Sequence, residues 1–456
     1  MVWYFSTRVM GHLQSLLLAL AIILAAAKAG EYFARLIKQP PVFGEILAGL
    51  ILGPTVLNLL GWRIFSQAPP GLPLSTEATV SQAVFDIASL GVIFLMFLVG
   101  IETDLKSVRR VGVPALSTSV GGVAVTLALG TLTVLAFSGL GAGVHAKDAF
   151  FIAVLISATS VSIVAETLVE LGRLNSKEGS TLIGAAVVDD VIGLLLFSFF
   201  VGVIASKGGT EMTVSLPALV TGGRGGVPLL AVATLILLAL YVAVGIIAFQ
   251  QLVKPLMRFV EDKRITGGLL VAAIGICIFF AWGAEFVVGV SGVVGAYFAG
   301  VLLGRTEFGK PVQHGLHALA YSLFIPVFFV SVGLHADAKK VFLSGGTLDV
   351  LFAIAILIVA IVGKLAGCYF GAKIAGYAKR DAYTVAVGMI TRGEVVLIVS
   401  TLALSSALIA ERTFSVIVLV VLVTTLVTPV WLKAALARRR HDGTGKRRPE
   451  PEPTTP

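Results

Sequence analysis

Gly100-Ile-Glu-Thr-Asp104-Leu-Lys106 returns, 233 residues later, as Gly333-Leu-His-Ala-Asp337-Ala-Lys339. Each copy closes a long apolar run, 86–104 in the first case and 318–336 in the second. The same offset carries Asp148-Ala149, with an aromatic residue after it, onto Asp381-Ala382-Tyr383. Ala48-Gly-Leu-Ile-Leu-Gly53 likewise recurs as Ala299-Gly-Val-Leu-Leu-Gly304. Two polar landmarks at one spacing, set among apolar blocks, mark an internal repeat.

The apolar blocks define the solvent. Of 456 residues 57% are hydrophobic and only 13% charged, where a soluble domain is about half apolar and about a quarter charged. A helix crosses a ~30 Å hydrocarbon core with about 20 apolar residues. On that measure about thirteen spans emerge: 12–36, 43–60, 86–104, 113–138, 148–170, 180–206 and 228–252, then 266–283, 284–306, 318–336, 347–374, 382–410 and 414–434. The repeat advances the chain by seven spans, an odd number, so its two six-helix halves have opposite orientation. The span 228–252 connects them. Inverted repeats of this kind build secondary transporters with a substrate site near the bilayer midplane. A second reading takes the first span as a cleaved signal peptide, because Ala25-Ala-Ala-Lys-Ala-Gly30 follows its apolar run. Against it, a second span follows at once, with no soluble stretch between.

The net charge of +9 does not indicate a nucleic-acid partner, since the charges fall in the gaps between apolar blocks. With the N-terminus outside, the inside connections and the tail hold 23 of the 34 basic residues, including Lys106, Arg109, Arg110, Lys254, Arg258 and the run Arg438 to Arg448. That excess fixes a cytoplasmic C-terminus. Cys277 and Cys368 both lie inside apolar segments, which gives no disulfide framework and no metal spacing.

Asp189 and Asp190 stand about nine residues into the span 180–206, roughly 14 Å deep at the rise of a helix. An ionisable residue at that depth costs at least about 2.5–3.5 kcal/mol and marks a functional site. Polar breaks interrupt two more spans: Ser157-Ala-Thr159-Ser160-Val-Ser162, and Thr391-Arg392-Gly393-Glu394. The repeat offset maps Thr159 onto Arg392, so the breaks are equivalent, and broken helices that meet at the midplane supply carbonyls and dipole ends to an ion. Arg392 is expected to neutralise opposed helix ends rather than touch the cargo. Lys364 is a third buried charge, which would lose its proton or need a carboxylate partner; Asp189 and Asp190 are the candidates. Lys28 and Glu31 read as a local pair, and Glu45 and Glu102 as structural or cavity-lining residues.

At these residues the chain resembles the monovalent cation/proton antiporters, in particular the NapA-type bacterial sodium/proton branch. Gly44-Glu45-Ile-Leu-Ala-Gly-Leu, Thr159-Ser160-Val-Ser162, Asp189-Asp190 and Thr391-Arg392-Gly393-Glu394 carry the likeness, supported by Lys364 and Gly295-Ala-Tyr-Phe-Ala-Gly300. It covers about residues 12–435. The resemblance implies an all-α membrane fold of two inverted repeats with crossed discontinuous helices, working as a homodimer in the bacterial inner membrane. It implies a dimerisation domain (1–112 and 266–346), an ion-transporting core (113–206 and 347–435) and a basic cytoplasmic tail (436–456). It assigns ion and proton binding to Asp190, as the ligand of transported Na+, with Asp189, Ser160 and Thr159. It pairs Lys364 with Asp189, and leaves Ser162, Thr391, Arg392 and Glu394 to support the breaks. It implies no cofactor, and electrogenic exchange of two protons for one sodium (or lithium) ion. Kef-type potassium relatives carry glutamine before the key aspartate and a soluble nucleotide-binding domain; potassium stays open as the cation.

Physically the reading is one of competition. Burial penalises an unpaired charge, so one site holds either a cation or a proton, and alternating access turns that into exchange. Two rivals fit less well. An intramembrane aspartyl protease shares a proton between carboxylates about 3 Å apart, normally from two helices. A sodium-coupled solute symporter has no need of a lysine beside two aspartates.

Overall fold

The computed structural model describes residues 12–37, 39–62, 65, 80–103, 105–140, 144–160, 163–164, 167–168, 173, 176–205, 227–263, 265–288, 292–342, 346–405 and 408–441. The regular elements among them are all helical. The first half holds α1 (His12–Leu36), α2 (Pro41–Leu52), α3 (Val80–Glu102), α4 (Leu105–Gly139), α5 (Ala149–Leu155) and α6 (Lys177–Ala205). Then come α7 (Val227–Ala248) and α8 (Lys254–Asp262), joined through a wider π-type turn. The second half holds α9 (Gly268–Gly283), α10 (Gly292–Gly304), α11 (Gly309–Leu319), α12 (Ile325–His335), α13 (Ala338–Phe342), α14 (Thr347–Ile374), α15 (Lys379–Gly388), α16 (Glu394–Ser405) and α17 (Glu411–His441). Among the described residues, eight helices are long and apolar enough to cross a membrane, and Pro41–Leu52, Gly292–Gly304 and Val395–Leu404 are shorter apolar helices.

Several expected boundaries move, for local reasons. The second span ends at Leu52, not at 60, because Gly53 turns extended (φ −75, ψ −172) ahead of Pro54, which disfavours helix in the residue before it. Residues 284–288, expected to open the ninth span, instead continue α9 as a π-type turn, and α10 starts at Gly292. The tenth span begins earlier, at Gly309. In α4 the membrane-length stretch starts at Gly112, whose positive φ of 54° breaks the helix; Pro114 just after it is tolerated, as prolines are in a first turn.

The repeat reappears in the packing. α2 lies on α12, and a Cβ on Gly49 would strike the carbonyl of Val330. α10 lies on α3, and a Cβ on Gly300 would strike the carbonyl of Phe97. Gly49 matches Gly300 through the Ala-Gly motif, and Phe97 matches Val330 through the offset of 233. Exchanging the halves therefore converts one contact into the other. Gly44 against Gly30 (α2 on α1) and Gly295 against Phe280 (α10 on α9) are a second such pair.

α4 and α14 cross most intimately. Gly363, Gly367 and Gly371 are spaced by four on α14, and a Cβ on any of them would strike Thr126, Gly121 or Ser117 respectively. Small residues at this spacing let helix backbones touch, as membrane helices require when lipid is as apolar as the side chains. Two apolar layers flank this crossing. One contains Ala115, Leu182, Ala185, Cys368, Ala372 and Leu432; the other contains Val134, Ile152, Phe352, Ala360, Val416 and Val420. On each of α4, α14 and α17 the chain passes from one layer to the other, and the polar residues lie between.

Candidate functional site

Between those layers the two broken helices meet. α5 stops at Leu155, and Ser157 satisfies its own turn by donating to the Val154 carbonyl at 2.8 Å. α15 stops at Gly388, and the chain re-enters helix at Glu394. The breaks are tied to each other: the Ser160 amide donates to the Thr391 carbonyl at 3.1 Å, and the Thr159 hydroxyl lies 3.3 Å from the Met389 carbonyl. Ser157, Thr159, Ser160, Thr391 and Arg392 are all buried. Sequence placed these breaks at one depth; the structure brings them into contact.

Arg392 is fully buried and works on backbone. Its Nη1 donates to the carbonyls of Ile390 at 3.0 Å and Met389 at 3.3 Å, and its Nη2 to that of Ala360 at 2.6 Å. The end of α15 carries the partial negative charge of a helix C-terminus, and the guanidinium sits on it. α17 holds the break from the other side, where Thr425 donates to the Arg392 carbonyl at 2.9 Å and Thr424 accepts from its amide at 3.3 Å.

Asp189 hangs from α6 beside the crossing with no solvent exposure. Lys364 Nζ, also fully buried, donates to its Oδ2 in an ion pair. Thr159 donates to the same oxygen at 2.6 Å, and Ser119 of α4 donates to Oδ1 at 2.9 Å. Three donors from three other elements converge on one carboxylate, so its negative charge is matched within the protein. The lysine is seated by Gly122, where an added Cβ would stand 3.4 Å from Nζ.

Other candidate residues fall as follows. Asp190 occupies the next position of α6 and Glu394 opens α16, but both side chains lie outside the described residues, as does Ser162. Lys28 and Glu31 form the local pair expected, at 2.7 Å. Glu45 is buried on α2, and Glu102 accepts from Gln313 at 2.9 Å. Sequence reasoning missed Ser119, Thr424 and Thr425. Thr424 and Thr425 are a bare hydroxyl pair in an apolar span, whereas Ser119 ends the run Ser117-Thr118-Ser119, a hydroxyl cluster that was an available signal in the sequence. The Gly363-x-x-x-Gly367-x-x-x-Gly371 spacing was the available signal that α14 is approached closely.

Comparison with known proteins agrees with this architecture. Residues 18–438 match the model of the family described as "Sodium/hydrogen exchanger, transmembrane". The Na(+)/H(+) antiporter of Enterococcus hirae is 34% identical over 91% of this chain and 96% of its own. The Na(+)/H(+)-K(+) antiporter GerN of Bacillus cereus is 32% identical over 91% of this chain and 94% of its own. The solved structure of the sodium proton antiporter MjNhaP1 from Methanocaldococcus jannaschii superposes with a TM-score of 0.63, covering 93% of this chain and 97% of that one. At 16% identity that likeness speaks for the fold alone. An all-helical chain with membrane-length spans, crossed broken helices and a family match over most of its length is a polytopic membrane transporter, and it belongs to the sodium/hydrogen exchanger family.

Proposed function

We propose that this chain exchanges cytoplasmic sodium (or lithium) for external protons, electrogenically and by alternating access, with Asp190 holding cation and proton in turn. The observation that carries the reading is the buried Asp189–Lys364 ion pair beside the crossed breaks. A cation arriving there meets hard oxygen ligands, the carboxylate together with the hydroxyls and carbonyls of the breaks, which is what unwound helices offer sodium. It also competes with the lysine ammonium for Asp189 Oδ2. Release of Lys364 as the ion binds, with its proton, is how a second proton enters the count and makes the exchange electrogenic. In this reading 1–112 and 266–346 form the dimerising scaffold, 113–206 and 347–435 move as the core, and 228–252 connects them. The protein is then a homodimer in the bacterial plasma membrane, N-terminus outside and tail inside.

A comparison of cations in proteoliposomes tests this. Sodium and lithium chloride are expected to drive proton movement, and potassium chloride to do so much more weakly. The second reading, potassium/proton exchange, draws on the name of the Bacillus cereus relative, a Na(+)/H(+)-K(+) antiporter. A potassium response equal to or above that of sodium would establish it.

A further inference from the structure

The three groups around the Asp189 carboxylate are not equivalent. Lys364 and Thr159 both address Oδ2, whereas Oδ1 has Ser119 on it at 2.9 Å. Ser119 comes from α4, which belongs to neither broken helix and does not carry the aspartate pair. It is fully buried, and its helix is fixed against α14 by glycine contacts on either side, at Gly121 and at Ser117. One turn along α4, Gly122 lies under the Lys364 side chain. The same helix therefore seats the lysine and holds the far oxygen of its partner.

We propose that Ser119 is a positioning residue that reserves Asp189 Oδ1 and so sets how strongly Lys364 competes with the transported cation; this rests on the sodium/proton reading above. A carboxylate free to turn about its Cβ–Cγ bond presents either oxygen, or both, to an ammonium. Pinned at Oδ1, it offers Lys364 only Oδ2, which Thr159 already shares. The ion pair is thereby kept weak enough for sodium to displace. Without the serine hydroxyl, Lys364 gains access to the second oxygen, and sodium must break a stronger pair. The expected consequence lies in apparent affinity, since the lysine and sodium compete for the same atom, whereas the later movement of the core involves the cation-bound state.

The test is sodium-dependent proton flux in proteoliposomes, with the sodium-dependent rise in thermal stability of the same purified variants as a binding readout. Ser119→Ala is expected to raise the KM for sodium about tenfold, the equivalent of one hydrogen bond to a charged group, with the maximal rate retained within about threefold of wild type. Ser119→Thr keeps the hydroxyl and is expected to restore the wild-type KM. Thr126→Ala is the control: its hydroxyl is also fully buried on α4, against Gly363, but has no hydrogen-bond partner among the described residues. It is expected to leave KM unmoved. Should Ser119→Ala fail to fold, Ser119→Cys, close in size and a weak donor, carries the same expectation. An unchanged KM in Ser119→Ala (or in Ser119→Cys where it stands in) overturns the proposal, as does a KM in Ser119→Thr raised as far as in Ser119→Ala, a fall in maximal rate with KM intact, or a rise that Thr126→Ala reproduces. Wild-type protein with no sodium-dependent flux would instead overturn the exchange reading itself, a result separate from any of these.

Discussion

At the scale of the residue, the account turns on a lysine and an aspartate that have only protein around them. Both side chains are fully buried. Removing one partner of a buried pair leaves an uncompensated charge and costs about 3–5 kcal/mol, whereas replacing both is often nearly neutral. Lys364→Ala is therefore expected to lower thermal stability markedly, and adding Asp189→Asn to recover much of the loss. A double-mutant cycle on purified protein measures the coupling; strictly additive losses would show that the pair carries no such energy. Asp189 and Lys364 were legible in the sequence because a charge inside an apolar span has no ordinary explanation. Which of the two adjacent aspartates takes the lysine was not legible from the residues. It depends on the rotation of α6 against α14, which the chain encodes only through packing. Ser119 was missed for a simpler reason: hydroxyls in a membrane helix most often bond back to their own backbone, as Ser117 does to the Pro114 carbonyl, and only the fold shows that Ser119 of the same Ser117-Thr118-Ser119 run reaches Asp189 instead.

At the scale of the element, the glycines of α14 determine how closely α4 can approach, and through it the geometry around Asp189. Gly367 has the Gly121 carbonyl where a Cβ would be. Backbone on both sides leaves no flexible atom to give way. Gly367→Ala is expected to destabilise the protein by about 1–3 kcal/mol, the usual cost of overpacking, and to reduce recovery of folded protein. Gly275→Ala on α9, with open space within 4 Å of the new methyl, is expected to change stability by no more than about 0.5 kcal/mol. Equal melting temperatures for the two variants would contradict the close crossing. The broken helices themselves were legible, since Thr159-Ser160 and Thr391-Arg392-Gly393-Glu394 are polar runs at equivalent places of the repeat. The ends of α2 and α9 were not. Apolar composition continues past Leu52 and across residues 284–288, and what stops or widens those helices is backbone geometry rather than hydropathy.

At the scale of the whole molecule, the two halves repeat their contacts as well as their motifs. The matched glycine contacts of α2 on α12 and α10 on α3 are the clearest instance. Inverted repeats of this kind are the architecture on which the proposed alternating access rests. The Asp189–Lys364 pair lies where the halves cross, between two apolar layers. Of the proposed mechanism, Asp190 carries the greatest weight, as the position that binds cation and proton in turn. The measurement that tests it most directly is proton flux driven by a sodium gradient in proteoliposomes holding Asp190→Asn. The variant is expected to fold and insert as wild type does while sodium-driven flux falls to the level of empty liposomes. Well-folded Asp190→Asn protein with near-normal sodium-driven flux would contradict the account.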